Sequence, residues 1–413
     1  MTEIGVVDVQ LIGGALLGYA LFSRRLAGSP VTPAIVFVVV GVVVGSGVLD
    51  LLRLPIGSGE LRLLAETTLA LVLFTDAARL DSRRVIRDRR LPVRLLALAL
   101  PLTIVVGGAL AVLLLPGLGV FEAVALAVLL APTDAALGQT VVSDERLPGV
   151  VREGLSVESG LNDGICVPLL LGALTIAELE SEPEFAGEIA TSFVVEISVA
   201  GAVGVLTGVA VGALARSAAR HGWVDGGWWR VVPLVAAALA YVGTDAAGGS
   251  GFIAAFVAGI AYGRLVGRED AHRSTELSEE VGSYLSAVTF LLFGAVMVPA
   301  AMAGIDVATV VYAVLSLTVI RMLPVALSLG GTGATWPTRA FVGWFGPRGL
   351  ATVVFALTVV EDFDVPGASR IVAVATVTVL LSVLAHGLTA SALTSRYATW
   401  VHGHRAPLTE EPS

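Results

Sequence analysis

Two short stretches hold the residues best suited to chemistry: Ala131-Pro-Thr-Asp134 and Glu158-Ser-Gly-Leu-Asn-Asp163. Each lies inside a run apolar enough to enter hydrocarbon, where a carboxylate or hydroxyl is costly unless paired or solvated. Pro132 lacks an amide hydrogen and clashes with the preceding turn, so it interrupts a helix and frees backbone carbonyls. Those carbonyls, with Thr133 and Asp134, would form a hard-oxygen site for a small hard cation. Glu158 and Asn162 are four residues apart, as are Ser159 and Asp163, so on a helix each pair shares a side. That side is expected to face the break at Pro132 and to complete the oxygen set.

A carboxylate in such a place can hold either a proton or a cation. Burial and a neighbouring acid favour the protonated form, whereas a bound cation favours the ionised one. Competition for one group is the minimal chemistry of exchange. It needs no ATP, and the sequence has no Gly-rich, Lys-containing phosphate loop. Arg321 and Arg348 also fall within apolar runs and require partners there. Three acids against two arginines leave a net negative centre, suited to one monovalent cation. Glu158 is expected to pair with an arginine, Arg321 ahead of Arg348, as a structural brace. Asp163 is then the expected carrier, with Asp134 and Thr133 as its partners across the break. Buried ion pairs that merely lock helices are the plain alternative, but two breaks, three acids and two arginines exceed that need.

Other polar residues carry less. Asp76 is expected in water near a helix end, and Glu196 has no assigned role. His386 titrates near neutrality as a free side chain but is expected to be hydrogen-bonded in helix packing. The single Cys166 excludes an intramolecular disulfide framework and reads as a small packing residue.

The elements that must position these residues follow from composition. The chain has 413 residues, 56% hydrophobic and only 14% charged, with a mean hydropathy of +0.88. Soluble domains carry about a quarter charged residues, so this is an all-α polytopic membrane protein. Its localisation is expected to be the cell membrane. Apolar runs give about thirteen spans, at 8–27, 33–49, 62–80, 93–115, 120–142, 151–177, 189–215, 230–247, 251–267, 282–300, 306–329, 337–360 and 368–394. The first run spans, follows an acidic start and lacks a cleavable-signal pattern.

All 25 basic residues are Arg. With the N-terminus outside and the C-terminus inside, twenty fall on inner loops and three (Arg53, Arg62, Arg370) on outer ones, the bias expected of a membrane protein. Outer loops are acidic around Glu178–Glu188 and at Glu361, Asp362 and Asp364. Such loops would concentrate cations, though solvated loops of an acidic protein are often acidic for no further reason.

Leu71-Val-Leu-Phe-Thr-Asp-Ala-Ala has a cadence similar to Leu291-Leu-Phe-Gly-Ala-Val-Met, and Gly346-Pro-Arg-Gly349 breaks span twelve as Pro132 breaks span five. Two inverted six-helix repeats joined by span seven would account for this, with spans 5 and 12 as broken crossing helices.

These motifs resemble those of the NhaP-type members of the cation/proton antiporter superfamily, relatives of the animal sodium/proton exchangers. The resemblance rests on Pro132-Thr-Asp134, Glu158-Ser-Gly-Leu-Asn-Asp163, Arg321 and Gly346-Pro-Arg-Gly349, and it runs over nearly the whole chain. It implies thirteen spans, a homodimer and an elevator-like core movement. Asp163 would carry the ion and proton, Thr133, Asp134, Ser159 and Glu158 would supply ligands to Na+, and Glu158 paired with Arg321 would brace the core. Asn162 beside Asp163 places the chain with the electroneutral branch. By the same resemblance, residues 1–90 and 225–302 would form a dimerisation part, 91–180 and 303–396 the moving core, 181–224 a connecting helix and 397–413 a short cytoplasmic tail. Ala135-Ala136 follow Asp134 where many relatives carry Pro, and regulation through a large cytoplasmic domain is not expected.

The expected function is therefore a secondary transporter, not an enzyme, exchanging Na+ (or Li+) for H+ without a cofactor or a nucleic-acid partner. Potassium/proton exchange is the nearest alternative. A cation channel or ion sensor is the alternative of another class, and paired aspartates of an intramembrane enzyme are disfavoured by the arginines beside them.

Overall fold

A computed structural model describes residues 5–26, 29–52, 59–80, 90–134, 137–181 and 186–403. All the regular elements among them are helices. Helix α1 is Val6–Leu26, α2 Pro33–Val44 and α3 Gly59–Arg79; α4 is Leu91–Leu114. Helix α5, Val120–Leu129, is followed by a break and the short α6, Gln139–Val142. Then come α7, Gly149–Ser181, α8, Ala186–Arg220, α9, Val232–Asp245, α10, Gly251–Val266, and α11, Glu269–Ala301. Helix α12, Val307–Ser328, is followed by α13, Trp336–Trp344, a second break, α14, Leu350–Asp362, and α15, Ala368–Gly403. Seven of these (α1, α4, α7, α8, α11, α12 and α15) are long and apolar enough to cross a membrane.

Local chemistry explains several boundaries. Thr32 caps α2 by accepting the Ile35 amide, ahead of Pro33 at the first position, where the missing N–H costs nothing. Asp306 caps α12 in the same way at 2.8 Å. The Thr309 amide, with Arg370 beside it, holds the Asp306 carboxyl down to about 2. Helices α4 and α11 widen into π turns at Leu95–Ala99 and Phe293–Met297, each just ahead of a proline, Pro101 and Pro299. Proline removes an amide and crowds the carbonyl four residues back, so a wider turn relieves both faults. Helix α12 is interrupted at Thr318 (φ −112°, ψ −92°), three residues before Arg321.

Two packed groups meet along α7. In one, α10 lies between α8 and α3, and α11 packs on α2 and α3; in the other, α5, α14 and α15 pack together and α4 runs beside α5 and α12. Helix α7 touches both. Arg321 on α12 and Arg348 between α13 and α14 are the largest fully buried side chains among the described residues. By contrast Leu206 and Leu214 on α8 are exposed, as a bilayer-facing helix requires.

Close approach rests on glycine where α2 meets α11. A Cβ at Gly41 would overlap the Leu291 carbonyl, and one at Gly294 would overlap Val38. Small residues of this kind let helix backbones touch inside a membrane. Gly41→Ala is expected to cost about 1–3 kcal/mol, the usual range for overpacking, read as a lowered midpoint of thermal unfolding in detergent. Gly201→Ala, where nothing lies within 4 Å, is the control and should melt like the parent protein.

The helices depart from the expected spans in instructive ways. The run expected at 33–49 ends as a helix at Val44, because Gly45 and Gly47 follow. The run expected at 282–300 begins much earlier: a charged helical extension from Arg268 precedes it, invisible to an apolar-run criterion. Surface ion pairs between distant segments join ends that the arginine map assigns to one side: Arg62 with Glu361 and Asp362, Arg370 with Asp306, Arg79 with Glu279, and Arg230 with Glu276.

Candidate functional site

Helix α5 ends at Leu129, capped at Leu130, and residues 131–134 are irregular. The chain between α13 and α14 is likewise irregular from Phe345 to Gly349. The two breaks cross. Asp134 donates its amide to the Pro347 carbonyl at 2.8 Å. Its carboxylate accepts the Leu350 amide at 2.8 Å and the Leu137 amide at 3.1 Å. Leu350 is the first residue of α14, so Asp134 caps that helix from across the crossing. Arg348 answers on the other side. Its Nη1 reaches the carbonyls of Ala131, Pro132 and Gly346 at 3.1–3.2 Å, just past the end of α5, and its amide donates to Ser382 Oγ at 2.7 Å. A carboxylate thus meets the positive end of one half-helix and a guanidinium the negative end of the other. A Cβ at Gly349 would collide with the Asp134 carboxylate, so the crossing needs glycine there.

Beside the crossing runs α7. Ser159 Oγ lies 2.9 Å from Thr133 Oγ1, and Asn162 Nδ2 donates to the same Thr133 oxygen at 2.8 Å. These contacts tie α7 to the break after α5. Asp163 is 8% exposed and next to them in sequence, and Asp134 and Asp76 are its charged neighbours. Asp163 Oδ1 and Asn162 Oδ1 are buried acceptors without a donor among the described residues. Such orphaned oxygens are uncommon in native interiors and point to an ion, a proton or water as the missing partner. Among the described residues no three His, Cys, Asp or Glu side chains converge as a metal cage requires, so a cation here would draw on hydroxyl and carbonyl oxygens too.

Glu158 has a partner of its own, Arg321. Both its oxygens are bound to Arg321, at 2.5 and 2.8 Å, and both side chains are buried. A bidentate fork of this kind is the strongest form of the pair. A Cβ at Gly346 would press on the Arg321 guanidinium, so the second break also makes room for the brace.

The sequence grouped Arg348 with Glu158 and Arg321 in one ion-pair set. The structure corrects this: among the described residues Arg348 forms no ion pair and instead satisfies carbonyls freed by Pro132. Expectations about Ala135 and Ala136 lie outside the described residues. Glu361 and Asp362 are not a free acidic mouth, since Arg62 binds both, at 3.1 and 2.8 Å, and also Glu66 at 2.7 Å. Glu66 in turn accepts from Tyr241 at 2.5 Å, and Glu196 stands near Asp362. His386 has both nitrogens engaged, Nε2 on the Trp344 carbonyl at 2.8 Å and Nδ1 on the Ser382 carbonyl at 3.0 Å, and stacks on Trp344.

Asp76 is the residue that sequence reasoning undervalued. It is half-buried, not in open water, and packs against Gly160, between Ser159 and Asp163 in sequence. The signal available was its company, Thr75-Asp76 at the end of an apolar run, but nothing in the sequence aligns α3 with α7.

An all-helical, polytopic membrane protein whose buried acids gather at two crossing broken helices has the build of a secondary transporter. The sequence pattern described as "Sodium/hydrogen exchanger, transmembrane" matches residues 12–396, and the chain belongs to that family. It is 25% identical over 265 residues to a "Probable Na(+)/H(+) antiporter" of Schizosaccharomyces pombe, covering 61% of this chain and 35% of that protein. It is 26% identical over 261 residues to "Na(+)/H(+) antiporter 2" of Zygosaccharomyces rouxii, covering 60% and 32%. The chain thus spans about a third of the length of these relatives. Its fold is similar to that of the sodium proton antiporter MjNhaP1 from Methanocaldococcus jannaschii, with a TM-score of 0.75 at 20% identity, covering 94% of this chain and 98% of that one.

Proposed function

We propose that this protein exchanges sodium (or lithium) for protons, one for one, at a site centred on Asp163. The observation that carries this reading is the buried Asp163 carboxylate: among the described residues it pairs with no arginine, and one of its oxygens has no donor. Thr133 and Ser159 supply hydroxyl oxygens beside it, and Asp134 and Asp76 add negative field. Asn162 where a second acid could stand keeps the exchange electroneutral. Glu158 and Arg321 neutralise each other and act as the brace. Around this site we place thirteen spans in two inverted repeats, with the N-terminus outside and a core (91–180 and 303–396) that moves against a dimerisation part (1–90 and 225–302) of a homodimer in the cell membrane. Helix α1, none of whose side chains is fully buried in the protomer, is available for that contact.

The test is exchange in everted vesicles followed with a pH-sensitive dye. Sodium should collapse a preformed pH gradient; lithium and potassium, tried in turn, define selectivity. A conductance that needs no counter-ion would instead identify a channel and end the exchange reading.

A shared site has a pH signature. A proton on Asp163 removes the charge that holds the cation, so apparent cation affinity is expected to weaken as pH falls. It should change clearly across the near-neutral range. Half-saturating sodium concentrations measured across that range give the answer, and a flat profile would remove the shared site.

A further inference from the structure

Along α8 every fourth residue forms one series: Gly204, Gly208, Gly212, Arg216, Arg220. Residues four apart share a helix face. The three glycines let α8 lie directly on α10, since a Cβ at each would press on Ala254, Ala258 or Leu265. Beyond the end of that contact the same face carries guanidiniums. Arg216 donates to the Leu265 carbonyl at 3.3 Å, which sets it over the end of α10. A cavity of about 600 Å³ opens there, lined by Arg216, Arg220, Arg264, Trp229, Gly267 and Asp270. Among the described residues none of its three arginines is in an ion pair within 4 Å, and all three are exposed. With Asp270, the cavity wall carries a net charge of two positive.

We infer that this cavity binds the phosphodiester headgroup of an anionic phospholipid. The guanidinium fork matches phosphate oxygens two at a time. The position selects a lipid over a soluble phosphate. The cavity lies where the exposed apolar surface of α8 and α9 (Leu206, Val209, Leu214, Leu239) ends, so acyl chains can lie against that surface while the headgroup reaches the arginines. Trp223 and Trp228, exposed in the α8–α9 connection, stand where aromatic side chains mark the headgroup layer. This is also the side that holds most of the arginines, the side facing anionic lipid in the usual orientation. Asp270 offers an acceptor to a hydroxyl on the headgroup, which a glycerol headgroup has and a choline headgroup lacks.

Thermal unfolding of the purified full chain in a neutral detergent tests this, with phosphatidylglycerol, phosphatidylcholine or inorganic phosphate added. Phosphatidylglycerol should raise the unfolding temperature by several degrees, and the other two should not. The triple variant Arg216→Gln, Arg220→Gln, Arg264→Gln should lose that rise, while Arg24→Gln with Arg25→Gln, on the same side but outside the cavity, should keep it. Native mass spectrometry of the single variant Arg220→Gln, expected to retain less phosphatidylglycerol than the parent protein, covers the case in which the triple variant does not fold. Equal stabilisation of the triple variant, or undiminished lipid retention by the single one, overturns the site. A rise with inorganic phosphate matching that with the lipid replaces the lipid with a soluble anion.

Discussion

Asp163→Asn is expected to reduce sodium-driven proton movement in everted vesicles to the level of vesicles without the protein. Asn fills the same volume, so α7 and its contacts to Thr133 through Ser159 and Asn162 should stand. What is lost is the ability to hold either a negative charge or an exchangeable proton. Neither neighbour can take over. Asp134 has both carboxylate oxygens on backbone amides of the crossing, and Glu158 has both on Arg321. Asp163→Glu keeps the chemistry and lengthens the arm, so residual exchange with altered sodium affinity is expected there. Full activity of the Asn variant in the same vesicles would end the assignment of Asp163 as carrier.

The second large effect concerns folding. Glu158→Gln leaves the Arg321 guanidinium buried without its counter-charge. Breaking one side of a buried pair costs about 3–5 kcal/mol, a large part of the stability of a typical domain. The variant should melt far below the parent protein in detergent and lose its monodisperse peak in size-exclusion chromatography. Removing both charges is a different matter, because an apolar pair of similar volume avoids the desolvation penalty. Glu158→Leu combined with Arg321→Met should therefore recover most of the folded material. A Glu158→Gln protein that melts like the parent would show that the pair is no brace.

Much of the site was legible because chemistry in hydrocarbon is conspicuous. Thr133, Asp134, Ser159, Asn162 and Asp163 stand out by type, and Ser159 and Asn162 of α7 both reach Thr133. The Glu158–Arg321 contact was also readable, since two lone charges in apolar runs must find partners. Arg348 was not, for a specific reason. Its partners are backbone carbonyls, which carry no letter in a sequence, and they become available only because the chain unwinds at Pro132. Asp76 and the Arg62 cluster were missed for another reason: their roles depend on which helices lie side by side. The π turns before Pro101 and Pro299 had a visible cause, but a proline near a helix start is more often read as a boundary than as a bulge. Helix ends erred where a charged extension continued an apolar run, as at Arg268.

The answering of one buried charge by another around the crossing sets a limit on what the protein can accomplish. Arg321 cancels Glu158, and the half-helix ends offset Asp134 and Arg348, so in the exchange proposed here Asp163 is the carboxylate that changes its load during a cycle. Under the one-for-one exchange proposed here, no net charge crosses the bilayer, and the membrane voltage does no work on the cycle. The sodium ratio it can sustain is then fixed by the proton ratio alone, roughly tenfold for about each unit of pH difference. A cell relying on it to expel sodium would have to keep its exterior the more acidic side, however large its electrical potential. In an alkaline medium the same device would run backwards and take sodium in.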